Sequence, residues 1–139
     1  MPADTQLLVG DTMGEMFAYY AACDLAFIGG SLLPTGGQNL IEACACGKPV
    51  LLGPHTYNFA QASEQAITQG AAIRVYDAVQ IFNIGFELLL DRGRLQNMSQ
   101  AAQRFADSEG GATHKTLDLL RPHLIQAASE RPIQVDRIR

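Results

Sequence analysis

The sequence has little cysteine and no excess of positive charge. Its three cysteines, Cys23, Cys44 and Cys46, lack zinc-site spacing; the last two lie two apart on a predicted helix, so their side chains point in different directions. This pattern predicts buried, reduced thiols in a cytosolic protein. A net charge of −4 argues against a nucleic-acid partner, because phosphate binding needs a concentrated basic surface.

Long hydrophobic runs are also missing. No stretch approaches the roughly 18 apolar residues of a transmembrane helix, and the amino-terminal MPADTQ has neither a basic start nor an apolar signal core. The sequence therefore predicts a soluble chain that neither spans a membrane nor is exported. It also lacks the dinucleotide fingerprint G-x-G-x-x-G and the phosphate loop G-x-x-x-x-G-K-[ST], which leaves a hydride-transfer enzyme or an ATPase unsupported. With no metal-ligating constellation either, no metal or cofactor is predicted.

The chain does contain short apolar runs that alternate with helical patterns, and its 139 residues are 47% hydrophobic, enough for one compact domain. Apart from Arg74, each predicted strand is apolar, which is typical of a strand buried on both faces of a parallel sheet. Predicted strands are Leu25–Gly30, Pro49–Pro54 and Ala71–Val75. Predicted helices are about Gly14–Ala22, Asn39–Cys46, Ala60–Gln69, Asp77–Asp91, Arg94–Ala106 and Ala112–Ile125.

Local signals set the boundaries of these elements. Thr12 and Glu15 have capping-box spacing at the first helix. Gly47 and Gly70 are placed to end two helices, and Gly110-Gly111 is predicted to separate the last two. The set Val79, Phe82, Phe86 and Leu89 has helical spacing and is predicted to pack in the core.

Alternating strands and helices predict an α/β fold, a Rossmann-like parallel sheet with flanking helices. Three or four strands are fewer than the five or six of a complete doubly wound domain, so the chain reads as part of a larger fold. We assign residues 1–126 to this nucleotide-binding domain, truncated on its amino-terminal side, and residues 127–139 to a tail with little to bury.

Glycines follow the ends of the predicted strands, where ligands bind in open parallel sheets. Gly29-Gly30-Ser31 follows one strand and Gly53-Pro54-His55 the next. Gly36-Gly37 precedes a helix whose first amides could hold a phosphate, since glycine lets it approach the backbone. Ordinary glycine turns before a helix are the alternative reading.

Glu42 is the only charged side chain between Asp24 and Lys48. It is predicted to lie in the second turn of the helix, on the same face as Asn39. A buried carboxylate needs a partner, and no Lys or Arg lies within one turn. The two adjacent hydroxyls of a ribose would supply paired hydrogen bonds. The alternative is that Glu42 faces solvent at the helix edge.

These motifs carry a family likeness. From about Val9 to Leu120 the sequence resembles the C-terminal domain of bacterial 3-deoxy-D-manno-octulosonic acid (Kdo) transferases, on the segments Asp11–Glu15, Gly29–Ser31, Gly36–Glu42 and Gly53–Phe59. Members are two-domain inverting glycosyltransferases of the GT-B type, which move Kdo from CMP-Kdo to a lipid A precursor in lipopolysaccharide biosynthesis. They work on the cytoplasmic face of the inner membrane.

The resemblance implies roles for individual residues. Glu42 matches the glutamate that holds the nucleotide ribose. His55 and Asn58 match the loop nearest the donor sugar. The phosphate-side loop and helix start are matched by Gly30, Ser31, Gly36, Gly37 and Asn39, and the loop facing the base by Asp11, Thr12 and Met13.

The resemblance also implies what this chain does not contain. Family members are about three times as long, and their amino-terminal domain carries the membrane anchor, the lipid A acceptor site and the catalytic base. No catalytic residue is therefore assigned here, and the fragment alone is expected to bind CMP without transferring sugar. Two alternatives stay open: a UDP-sugar domain of another GT-B transferase or epimerase, and a non-catalytic nucleotide-binding module.

Overall fold

The computed structural model describes residues 4–130, with the side chains of 112–115 and 127–130 left out. Its sheet has three parallel strands in the order β1-β2-β3, namely β1 Ala26–Ile28, β2 Val50–Leu52 and β3 Ala72–Arg74. In the register, Phe27 lies opposite Leu51, and Leu51 opposite Ile73. The predicted α/β fold is confirmed, and each strand is shorter than predicted.

Helices alternate with these strands. They are α1 Met16–Ala22, α2 Ile41–Ala45, α3 Ala60–Thr68, α4 Ala78–Leu90 and α5 Arg92–Glu130, with a 3₁₀ turn at Tyr57–Phe59. The predicted helix ends at Gly47 and Gly70 are confirmed. Both glycines have positive φ, +66° and +77°, and their amides donate to Cys44 and Ile67 in the last turns of α2 and α3.

Apolar residues pack on both faces of the sheet, as largely apolar strands require, although Phe27 of β1 is 39% exposed. One face buries Ala26, Ile28, Val50, Leu52 and Ala72 against α2, α3 and Phe105 of α5. The other buries Leu51 with Val75, Leu88 of α4 and Met98 of α5. Cys44 is fully buried, Cys23 and Cys46 are half-buried, and all three thiols are free.

The chain divides into two compact units, Met1–Ala106 and Asp107–Arg139. The sheet and every candidate site residue belong to the first unit. The boundary at residue 126 stays a prediction, and residues 131–139 of the predicted tail lie outside the described residues.

Two predicted helix boundaries are wrong. Gly110-Gly111 does not break the chain, because α5 runs through both glycines without a positive φ. A glycine inside a helix costs only about 1 kcal/mol relative to alanine, which the helical residues on either side can offset. The Thr12–Glu15 capping box does not form either. The Thr12 hydroxyl donates to the Glu15 carboxylate itself, and α1 begins at Met16 without a side-chain cap.

The predicted core role of Val79, Phe82, Phe86 and Leu89 is also wrong. These side chains are 48–76% exposed, whereas Ile81, Ile84, Gly85 and Leu88 of the same helix face the core. Both sets have helical spacing, so periodicity alone could not choose between them. In the described part of the chain, no helix combines the length and apolarity needed to cross a bilayer.

Candidate functional site

Two loops meet at the carboxyl edge of the sheet. The β1 loop (residues 29–40) and the β2 loop (residues 53–59) are joined by several hydrogen bonds. The Gly53 amide donates to Ser31 Oγ (2.8 Å), the His55 amide to the Ser31 carbonyl (2.9 Å), and Tyr57 Oη to the Pro34 carbonyl (2.8 Å). The loops that follow neighbouring parallel strands therefore form one connected surface at the ligand edge.

Ser31 is the centre of this junction. Its side chain is fully buried, and its hydroxyl donates to the Ile28 carbonyl (2.5 Å) while accepting from the Gly53 amide. The hydroxyl therefore donates one hydrogen bond and accepts one hydrogen bond inside the protein. The structure gives Ser31 a positioning role beneath the surface; its contact with a ligand stays a prediction.

Glycine is required at two points by the close approach of the loops. A Cβ on Gly53 would lie 2.1 Å from the Ser31 carbonyl oxygen, and one on Gly36, whose φ is +95°, would lie 2.3 Å from Asn58 Nδ2. Gly36 and Gly37 are buried under the β2 loop. These glycines let one loop lie directly on the other.

The Gly36-Gly37 pair lies further from the helix start than predicted, and a phosphate on the first amides of that helix stays a prediction. The Gly37 amide donates to the Gly30 carbonyl at 3.0 Å, which also accepts from Thr35 Oγ1 at 2.7 Å. The helix begins four residues after Gly37, at Ile41, because the β1 loop closes on itself first. Gly30 itself is exposed at the end of β1 and remains a candidate for a phosphate contact.

Glu42 is the second residue of α2. It lies in the first turn rather than the predicted second turn, because the helix starts at Ile41 and not at Asn39. It is half-buried, and its Oε1 accepts from Asn39 Nδ2 at 3.1 Å. Asn39 Oδ1 in turn accepts from the Ile41 amide at 3.0 Å. One asparagine thus fixes both the helix start and the carboxylate, on one face as predicted.

No cation neutralises this carboxylate in the described part of the chain. The ion pairs there join Arg74 to Glu64 and Arg121 to Asp118. A carboxylate has about four acceptor sites, so the Asn39 bond leaves Glu42 able to accept two further hydrogen bonds side by side. That capacity suits a vicinal diol.

Tyr20 of α1 is near enough to Glu42 for the carboxylate charge to act on its phenol. Burial raises the pKa of its phenol, and the Glu42 charge raises it further, so the hydroxyl stays protonated at neutral pH. Sequence reasoning missed Tyr20; the only signal was its helical spacing with Met16. It extends the site from α2 to α1.

The predicted base-side loop, Asp11, Thr12 and Met13, precedes α1 and is exposed, with Met13 97% accessible. Thr12 Oγ1 lies 3.2 Å from Tyr19 Oη, the neighbour of Tyr20. The structure thereby ties this loop to the helix that flanks Glu42.

The two predicted sugar-side residues lie in the β2 loop. His55 is half-buried and anchored by its main chain. Asn58 holds the β1 loop: its amide donates to the Gly36 carbonyl (3.1 Å) and its Nδ2 to the Thr35 carbonyl (3.3 Å). Asn58 is accordingly a positioning residue, and its contact with a sugar stays a prediction.

Arg74, at the end of β3, also supports the β2 loop and was missed from the sequence. Its Nη1 donates to the Gly53 carbonyl at 2.9 Å, and its Nη2 pairs with Glu64 of α3. Its place at the carboxyl end of a strand was the available signal.

A separate cavity of about 380 Å³ lies at the amino end of the sheet, near Lys48 and Arg92, away from the loops just described. No group of three or more metal-ligating side chains occurs among the described residues.

No family model matches the chain. It is 51% identical over 118 residues to the 3-deoxy-D-manno-octulosonic acid transferase of Bordetella pertussis, covering 85% of this chain and 28% of the relative. The chain is homologous to the C-terminal part of Kdo transferases. The enzyme of Haemophilus influenzae is 33% identical over 122 residues, covering 87% of this chain and 29% of that protein.

A solved structure matches the fold. The C-terminal CMP-Kdo binding domain of WaaA from Acinetobacter baumannii superposes with a TM-score of 0.70 at 30% identity, over 73% of this chain and 53% of that domain. This confirms the predicted fold and family resemblance. The Kdo transferase homologue spans under a third of the curated relatives named above.

Proposed function

We propose that this chain is the donor-nucleotide-binding part of a Kdo transferase, which moves Kdo from CMP-Kdo to a lipid A precursor. The observation that carries the proposal is Glu42: a half-buried carboxylate, oriented by Asn39, beside the connected loops at the ligand edge. The solved relative is named as a CMP-Kdo binding domain, and it shares this fold.

Each part of the donor is assigned to its own residues. Glu42 accepts two hydrogen bonds from the ribose hydroxyls, with Tyr20 near it as a neutral hydroxyl. Gly30, exposed near the start of the β1 loop, faces the phosphate. The half-buried His55 faces the Kdo unit. Asp11, Thr12 and Met13 border the base. Ser31, Asn39 and Asn58 hold these elements in place.

Within this proposal, binding supports the chemistry by stabilising the departing nucleotide. Charge builds on the CMP phosphate as its bond to Kdo breaks, and we assign its stabilisation to the exposed main chain at Gly30. No cofactor or metal enters the proposal. The base that deprotonates the acceptor hydroxyl, the lipid A site and the inner-membrane anchor are assigned to the amino-terminal domain of the parent protein.

An NMR titration of the 139-residue chain with CMP, UMP and inorganic phosphate tests the proposal. We expect CMP to shift the amides of Gly30, Glu42 and His55 with saturation, and phosphate to shift only Gly30 and His55. Equal effects of UMP would favour the UDP-sugar alternative. Titrations with no saturable shift would contradict nucleotide binding.

A second measurement tests the division of labour between domains. The purified chain is expected to show no Kdo transfer from CMP-Kdo to a lipid A precursor, because the base is assigned elsewhere. Transfer by this chain alone, at a rate above a no-protein control, would contradict that assignment.

A further inference from the structure

The outer face of α4 carries a row of exposed apolar side chains. Val79, Phe82, Phe86 and Leu89 are 66%, 76%, 65% and 48% exposed. We call these four residues the α4 seam. The opposite face of α4 packs on the sheet through Ile81, Ile84 and Leu88, so α4 is apolar on both sides. A helix with two apolar faces normally has both faces covered.

The spacing of the seam identifies the shape of its partner. Its residues are 3, 4 and 3 positions apart, the a/d pattern of a heptad repeat, which packs knobs into holes against another helix. Helices packed in this way lie nearly along one another. The seam therefore fits an α-helix with the same pattern.

The seam also complements itself. We propose that α4 mediates an antiparallel homodimer, in which Phe82 of one copy packs against Phe86 of the other and Val79 packs against Leu89. Such a two-fold interface is isologous, so each contact occurs twice. Two large aromatic side chains at its centre are the residues that usually anchor an interface.

Charge favours this arrangement. Within α4 the only charged side chain is Glu87, which lies between the seam positions Phe86 and Leu89 but belongs to a flanking row. The seam itself is neutral, so a chain of net charge −4 meets no repulsion at its centre. A parallel pair would align Asp77 with Asp77 and Arg92 with Arg92, whereas an antiparallel pair brings Asp77 to the end where Arg92 lies and opposes the helix dipoles.

The available area is sufficient for a modest dimer. Tyr76 and Leu90, 62% and 70% exposed, extend the seam at its two ends. Together the six side chains present on the order of 700 Å² per copy, close to the roughly 800 Å² per partner of a standard interface. We therefore expect a concentration-dependent dimer.

Sedimentation velocity of the full chain, from about 5 µM to about 500 µM, tests the proposal. The wild-type chain should shift from monomer to dimer across this range, and Phe82→Glu and Phe86→Lys should each raise the dissociation constant at least tenfold. Leu119→Glu is the matched control, since Leu119 is 74% exposed in the other unit, and it should leave the dimer unchanged. Circular dichroism checks folding, and Phe82→Ser provides a second variant.

Mixing distinguishes the antiparallel pair from other contacts. An equimolar mixture of Phe82→Glu and Phe86→Lys should restore dimers, because one Glu then faces one Lys across the seam. A chain that stays monomeric throughout, or a dimer lost with Leu119→Glu but kept with Phe82→Glu, would overturn the proposal. Failure of the mixture to restore dimers would overturn the antiparallel arrangement. None of these outcomes depends on CMP binding, so the proposed function is tested separately.

Discussion

Asn39 uses both ends of its side-chain amide on neighbouring parts of α2. Nδ2 donates to Glu42 Oε1 at 3.1 Å, and Oδ1 accepts from the Ile41 amide at 3.0 Å. The position of the carboxylate is thereby coupled to the start of the helix. Asn39→Ala should free the Glu42 side chain and leave the Ile41 amide without its acceptor, lowering the free energy of unfolding by about 1 kcal/mol. It should also weaken CMP binding several-fold, as calorimetry would measure.

Asn39→Asp separates these two effects. It keeps the Oδ1 acceptor for Ile41 but replaces the donor to Glu42 with a second negative charge. We expect helix stability to be kept and CMP affinity to fall further than in Asn39→Ala. Equal CMP affinity in wild type and both variants would show that Asn39 does not orient the site.

Ser31 and Ser63 provide a matched pair of fully buried serines. Ser31 Oγ bridges the Ile28 carbonyl and the Gly53 amide, whereas Ser63 Oγ has no hydrogen-bond partner among the described residues. Ser31→Ala would leave the buried Gly53 amide without its acceptor. It should lower the free energy of unfolding, measured in urea, by about 1–3 kcal/mol. Ser63→Ala should be neutral or stabilising. A similar cost for both would mean that the Ser31 bridge does not join the loops.

Gly53 and Gly93 test the close approach of the loops. Neither has a positive φ, but a Cβ on Gly53 meets main-chain atoms at 2.1 Å, while one on Gly93 meets its nearest atom at 3.5 Å. Gly53→Ala should lower the free energy of unfolding by more than about 3 kcal/mol, because backbone must move. Gly93→Ala in α5 should raise it by up to about 1 kcal/mol. A mild Gly53→Ala would contradict the described loop contact.

Cys44 is predicted to be the least reactive thiol. Burial raises its pKa from 9.0 to about 12, so the reactive thiolate is scarce at pH 8. Iodoacetamide should modify the half-buried Cys46 well before Cys44, as peptide mass spectrometry would show, and all three cysteines should react in urea. The protonated thiol is the form that the fold favours. Its stabilising contribution is therefore complete below about pH 9 and is lost as pH rises toward 12. Faster labelling of Cys44 than of Cys46 in the native chain would refute this.

The sequence was sufficient for the order of the strands and helices because each apolar run is bounded by glycines. Gly47 and Gly70 marked helix ends correctly, since only a residue that accepts positive φ fits there. The prediction at Gly110-Gly111 was wrong because a glycine pair inside a helix cannot be distinguished by sequence from one that ends a helix. Which of the two is more stable depends on the rest of α5.

The site was harder to predict because loop contacts are not local in sequence. Glu42 and Asn39 could be paired from their spacing of three. The hydrogen bond from the Gly37 amide to the Gly30 carbonyl depends on how the β1 loop closes, and no spacing rule predicts that closure. Arg74 and Tyr20 reach the site from other elements, through contacts that only tertiary structure creates. The exposed face of α4 was predicted to be core because α4 has two apolar faces, and the sequence does not show which of them packs on the sheet.

Removing the 2′-hydroxyl of the nucleotide tests whether Glu42 holds the ribose hydroxyls. Calorimetry would measure CMP and 2′-deoxy-CMP binding to the wild-type chain, to Glu42→Gln, and to Glu87→Gln as a control on the exposed surface of α4. We expect wild type and Glu87→Gln to prefer CMP by about tenfold or more, on the order of one charged hydrogen bond. Glu42→Gln should bind both nucleotides weakly and with nearly equal affinity. An undiminished preference for CMP in Glu42→Gln would show that Glu42 does not hold the ribose hydroxyls.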